Sequence, residues 1–214
     1  MSRRRPLLAA VRRASLACGV AGAILAFPMP ALTQASTTRG LSVGAHFLGS
    51  SLEVENGDRS NGGGFGLRVG YGFNRVITGF IQVDGSRVEV EEGQSLGGQW
   101  DVNHTEIGAR FHFANSLRRV VPYLEVAVGG RSVKVSDAEF NGQPAGEVTF
   151  SGAAVTFGGG LSAYFNRKLA FDASLRLTGG EFNKVDVGSV SVNDLDIDAS
   201  SVRVAFGLTW WPKS

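Results

Sequence analysis

Cysteine, methionine and histidine are nearly missing from this 214-residue chain, which has one, two and three of them. Cys18, Met1 and Met29 all fall within the first 35 residues, so the rest of the chain has no thiol for a disulfide or a cysteine metal site. Long apolar runs are also lacking. Beyond residue 35 no stretch reaches the roughly 20 apolar residues that a spanning helix needs, and charges interrupt every segment. Nor is there an excess of one charge sign, with 21 Lys+Arg against 19 Asp+Glu.

The first residues read as a leader. Arg3, Arg4, Arg5, Arg12 and Arg13 precede an apolar run from Ala14 to Phe27, and Thr33-Gln34-Ala35 offers a small-residue cleavage site. This order predicts a secretory signal peptide over 1–35 and a mature domain over 36–214. Cys18 lies near the start of the apolar run, not after it, so it does not match a lipobox. Removing the leader takes 5 basic residues and no acidic ones, leaving 16 against 19 and a mature charge of −3. Nucleic acid is therefore not an expected partner.

What the chain does have is alternation. Residues 64–73 read GFGLRVGYGF, with Phe65, Leu67, Val69, Tyr71 and Phe73 on one face of a strand and Gly64, Gly66, Arg68, Gly70 and Gly72 on the other. Similar segments run over 41–52, 77–87, 101–113, 122–135, 154–165, 169–177 and 200–211. Short turns follow the second, fourth and sixth segments, at 74–76, 114–121 and 166–168, and longer loops are expected at 53–63, 88–100, 136–151 and 179–199. Eight segments of about ten residues, greasy on one face and small or charged on the other, predict an all-β fold: an eight-stranded antiparallel up-and-down transmembrane β-barrel. Its apolar face would meet lipid and its polar face would fill the lumen.

Aromatic residues reinforce the membrane reading. Phe73, Phe111, Phe113, Tyr123, Phe165, Phe171, Trp210 and Trp211 all lie near the short-turn ends of their segments, as a girdle at one membrane interface requires.

The runs VPYLEVAVGG from Val121, FGGGLSAYF from Phe157 and VRVAFGLTWW from Val202 resemble the small outer-membrane barrel domains of the OmpA and OmpX kind. The resemblance implies a bacterial outer-membrane location, a barrel surrounded by outer-membrane lipid and lipopolysaccharide, and external loops that meet a partner. It also implies a final aromatic residue, Trp211 here, read by the barrel-assembly machinery. Structural anchors, adhesins and resistance factors all occur among such domains. With the chain ending at Ser214, no wall-anchoring domain is expected after the barrel.

Candidate site residues are those that the alternation turns inward: His46, Arg68, Gln82, Asp84, Glu106, Arg110, His112, Glu125, Asp172, Arg176 and Arg203. An eight-stranded lumen is only wide enough for side chains, so these charges are expected to pair and plug it. Phe113 pairing near Pro122 would set Arg110 opposite Glu125, with Asp172 and His112 at a similar height. Catalysis and metals are weakly signalled. The His-x-Ser-Asn motif of barrel deacylases is absent, and no serine is placed to attack beside His104 and Glu106. Asp194, Asp196 and Asp198 start like a calcium loop, but Ala199 and Ala205 stand at its sixth and twelfth positions. The glycines at 62–64 and 158–160 open no helix and precede no Walker lysine. No cofactor and no enzymatic activity are expected. A lipid-modifying enzyme remains one alternative. A soluble lipocalin-like barrel, with the two faces exchanged, is the other, because period-two alternation alone does not tell inside from outside.

Overall fold

The computed structural model describes residues 38–54, 60–90, 98–113, 119–140, 143–187 and 190–212. The leader, the cleavage site and the last two residues lie outside them. Eight strands follow in order: β1 Gly40–Val54, β2 Ser60–Gly72, β3 Ile77–Val90, β4 Gly98–His112, β5 Val120–Phe140, β6 Gln143–Tyr164, β7 Leu169–Val187 and β8 Val190–Trp210. Each pairs antiparallel with its chain neighbour, and β1 pairs with β8, so the sheet closes into a barrel. Closure leaves no free edge around the girth, which is the condition for strands to cross hydrocarbon.

Register is set at the short turns. Residues 73–77 and 165–169 share the pattern Phe-Asn-Arg-x-apolar, and the two turns have the same geometry. Phe73 N–H donates to the Ile77 carbonyl and Phe165 N–H to that of Leu169, each at 3.0 Å. Asn74 Oδ1 accepts from the N–H groups of Val76 (2.7 Å) and Ile77 (2.8 Å), and Asn166 Oδ1 from those of Lys168 (2.8 Å) and Leu169 (2.9 Å). The asparagine carboxamide thus closes the turn in place of backbone. Arg68 consequently faces Gln82 and Gly158 faces Arg176, the register that keeps both arginines out of lipid. Asn74→Ala or Asn166→Ala should each lower stability by about 0.5–1.5 kcal/mol, with additive effects in the double variant, as read from urea midpoints in detergent.

The apolar row is outside. Phe65, Leu67, Val69, Ile107, Phe111, Val128, Leu175, Val204, Phe206 and Leu208 are exposed, and Val126 and Leu161 are half-buried. From Phe65 to Phe73 the outward row runs about 27 Å along the strand and about 21 Å in height at a tilt of about 40°, close to the belt of an outer-membrane barrel. A lipocalin-like barrel needs these same side chains inside, so the exposed row decides against that alternative.

The long loops expected over 53–63, 88–100, 136–151 and 179–199 are mostly strand. β5, β6, β7 and β8 run for 21, 22, 19 and 21 residues, so the hairpins continue well past the belt and leave only 55–59, 91–97, 141–142 and 188–189 outside the described residues. The reason is an inversion of polarity along the strands that build the upper core. On β5, Leu124 and Val128 face out and Glu125 faces in, whereas past Gly129 and Gly130 it is Val133 and Val135 that are buried. On β3 the same change places Asp84 inside at one height and Val88 inside above it, with Arg87 exposed. Leu52, Val88, Val102, Val133, Val135, Val148, Phe182 and Ala199 form an apolar core within this upper section. The lower section is built for lipid outside and charge inside, and the upper one for water outside and an apolar core inside.

Candidate functional site

The inward positions of the lower section meet in the barrel interior, where ion pairs connect side chains from different strands. Glu125 on β5 is the hub. Its carboxylate accepts from Arg176 Nε at 2.6 Å, from the Arg68 guanidinium at 3.1 and 3.3 Å, and from Arg110 Nε at 3.2 Å. Asp84 is a second node, taking Arg203 at 2.5 Å, Gln82 Nε2 at 2.7 Å, His46 at 2.8 Å and Arg176 at 3.4 Å. Glu106 pairs with Arg203 and accepts from Thr156 at 2.6 Å. Asp172 takes Arg110 at 3.0 Å, Ser162 at 2.7 Å and Thr209 at 2.5 Å. Each carboxylate meets at least one cation, the arrangement that makes buried charge tolerable.

Glycine on the inward face makes room for this. A Cβ at Gly66 would collide with Asp84 and lie 2.5 Å from His46 Nε2, and one at Gly160 would lie 2.6 Å from the Tyr123 hydroxyl. The polar ladder of the sequence is therefore glycine where a long side chain on a neighbouring strand crosses over it.

Arg68, Asp84, Glu106, Arg110, Glu125, Asp172, Arg176 and Arg203 thus come together in one network. Arg110 stands opposite Glu125 in the register, following the Phe113 N–H to Pro122 carbonyl bond of 2.9 Å. His112 is placed differently. It packs edge-on against Tyr123, with ring centroids 5.9 Å apart, and lies 3.3 Å from the Thr78 hydroxyl, so that the Tyr123 ring stands between it and Arg110. Of the proposed girdle, Phe73, Phe111, Phe113, Phe165, Phe171 and Trp210 are exposed, whereas Tyr123 and Trp211 are 2% and 4% exposed. Their places need correcting. Tyr123 has the inward parity of Glu125 and carries the Arg110 guanidinium 3.6 Å above its ring centroid. Trp211 stacks on Tyr164 at 5.2 Å and packs with Val121 and Ala170 at the short-turn end of the interior.

Two further side chains contribute to the interior. Phe80 turns inward between Thr78 and Gln82 and receives Arg68 over its ring at 4.2 Å; its parity was legible, but an aromatic on the polar face contradicts the simple pattern. Arg131 has the parity of Glu125 and is buried at the foot of the apolar core. With it the described interior contains five arginines, namely 68, 110, 131, 176 and 203, against the four carboxylates of Asp84, Glu106, Glu125 and Asp172.

Space in the network is slight: a pocket of about 20 Å³ lined by residues including His46, Arg68, Arg110, Tyr123 and Asp172, enough for about one water. All three histidines of the chain, His46, His104 and His112, face the interior. Among the described residues no group of three or more His, Cys, Asp or Glu side chains is placed to hold a metal ion, and the side chains of Asp194 and Asp196 lie outside that description. Far above the belt, on the β7–β8 hairpin, the Ser191 hydroxyl and the Lys184 ammonium hold the exposed Asp186 carboxyl below its ordinary range.

Comparison with solved structures finds the same architecture. Neisserial surface protein A aligns with a TM-score of 0.58 at 16% identity, over 80% of this chain and 96% of its own. The attachment invasion locus protein Ail of Yersinia pestis aligns at 0.51 and 18% identity, over 81% and 100%. The outer membrane protein OprG of Pseudomonas aeruginosa aligns at 0.52 and 11% identity, over 82% and 97%. At these identities the likeness is one of fold. No curated protein sequence matches the chain. A family model for the outer membrane protein beta-barrel domain matches residues 19–209, and with the closed eight-stranded barrel and its apolar belt this establishes the chain as a member of that outer-membrane family.

Proposed function

We propose that this protein is a non-enzymatic barrel of the bacterial outer membrane, exported through a cleaved signal peptide over 1–35, with a closed lumen and its working surface on the hairpins that rise above the belt. The ion pairs that span the interior carry the reading. Buried ion pairs cross the barrel from Arg68 on β2 to Glu125 on β5 and from Asp84 on β3 to Arg203 on β8, an apolar core lies above them and the Trp211 cluster below. A solute path would have to break paired charges in a low-dielectric interior. The inward placement of all three histidines supports a non-catalytic role, because a lipid-modifying enzyme needs its base and nucleophile at the outer leaflet.

The partners follow from the two exteriors. The apolar belt and the exposed Phe73, Phe113, Phe165, Phe171 and Trp210 suit outer-membrane lipid and lipopolysaccharide. The final strand, ending at Trp210 with Trp211 following, suits the barrel-assembly machinery, and the β5–β6 and β7–β8 hairpins suit an external adhesive or envelope partner.

The deciding measurement is conductance in a planar bilayer. The protein should give no steady channel current, and Arg110→Ala, which leaves the apolar core and the Trp211 cluster in place, should remain silent. A large steady conductance of the unmodified protein that is indifferent to Arg110→Ala would refute the closed lumen.

A further inference from the structure

The five inward arginines outnumber the four inward carboxylates, and the surplus cation is Arg131. It is 2% exposed. Its guanidinium donates only to backbone, to the carbonyls of Gly180 (3.3 Å) and Ala199 (3.1 Å), and rests 4.6 Å from the centroid of the Phe182 ring. No carboxylate among the described residues pairs with it, and its Nε and Nη1 have no protein acceptor. Two neighbours share this condition. His104 faces Arg131 directly across the β4–β5 ladder, and its Nε2 has no partner. Arg203 binds Asp84, the residue opposite His104 on β3, and lies four residues beyond the Ala199 carbonyl that Arg131 uses; its Nε is likewise without an acceptor.

Four buried nitrogens on these three side chains, Nε and Nη1 of Arg131, Nε2 of His104 and Nε of Arg203, therefore have no protein partner at the foot of the apolar core. Buried donors are seldom left so, and a buried cation without a counter-charge is costlier still. A water molecule supplies acceptors but leaves the surplus charge, whereas a small anion supplies both. We propose that Arg131, His104 and Arg203 form an internal binding site for a monatomic anion, chloride under physiological conditions, which completes the charge balance of the lumen. The apolar core that holds Phe182 and Val133 begins at these side chains, and a monatomic anion asks for less room there than phosphate or a carboxylate.

The test uses the full chain folded in detergent, with thermal unfolding compared in sodium chloride and in sodium gluconate at equal ionic strength, since gluconate is too bulky to enter. The midpoint should be higher in chloride by on the order of 2–4 °C. Arg131→Met should abolish the difference, and Arg131→Lys, which keeps the charge, should preserve its sign. Equal midpoints in the two salts, or an undiminished difference in Arg131→Met, would overturn the site. Crystals grown in bromide give a second readout that does not depend on the variants folding: an anomalous peak between Arg131 and His104 supports the site, and density there with no anomalous signal overturns it.

Discussion

Glu125→Gln is expected to be the most destabilising single conservative change in this barrel, by about 3–5 kcal/mol, because it removes the charge that three buried arginines share. The identity of the stranded partner follows from the remaining contacts. Arg110 keeps Asp172 at 3.0 Å and Arg176 keeps Asp84 at 3.4 Å, whereas Arg68 is left with Gln82 and the Phe80 ring. A second substitution, Arg68→Met, should therefore recover at least half of the loss, and Arg110→Met should recover less. Urea unfolding of the folded protein in lipid vesicles, followed by tryptophan fluorescence and gel mobility, measures both. Equal recovery by the two second-site changes would show that the network shares its charge so widely that no single arginine depends on Glu125.

The second large effect is on the outside. Val69 lies midway along the outward row of β2, between Phe65 and Phe73, and is exposed. Val69→Arg should cost about 2–4 kcal/mol in a bilayer, since a charge at mid-height has no route to either interface without distorting its surroundings. Asn103 also points outward but sits above the change of polarity on β4, and Asn103→Arg should stay within about 0.5 kcal/mol of the parent. The same pair of variants compared by vesicle unfolding maps the upper edge of the belt. Similar costs at the two positions would mean that the hydrocarbon reaches higher than the polarity change.

The sequence by itself determined the strand count, the closed up-and-down topology and the register. Alternation with period two leaves a residue only two faces to choose from. The Phe-Asn-Arg turns set Arg68 against Gln82 and Gly158 against Arg176, and Phe113 opposite Pro122 sets Arg110 against Glu125, so these pairs were legible in the sequence. The inward charges were legible for the same reason. Three things were not. Strand length escaped because the upper hairpins reverse their polarity: Val88, Val148 and Phe182 face in within stretches expected as loops, and a pattern searched for in one phase reads the other phase as loop. Tyr123 and Trp211 escaped because aromatic residues serve an interface and an interior equally well, and parity, not chemistry, put them inside. The choice of partners within the lumen was the third. Arg203 meets Asp84 from a strand 119 residues away, and His112 turns to Tyr123 instead of Arg110, because which long side chains touch across a barrel depends on closure and strand stagger. Sequence supplies a face for each residue; only the closed barrel supplies a height and an opposite wall.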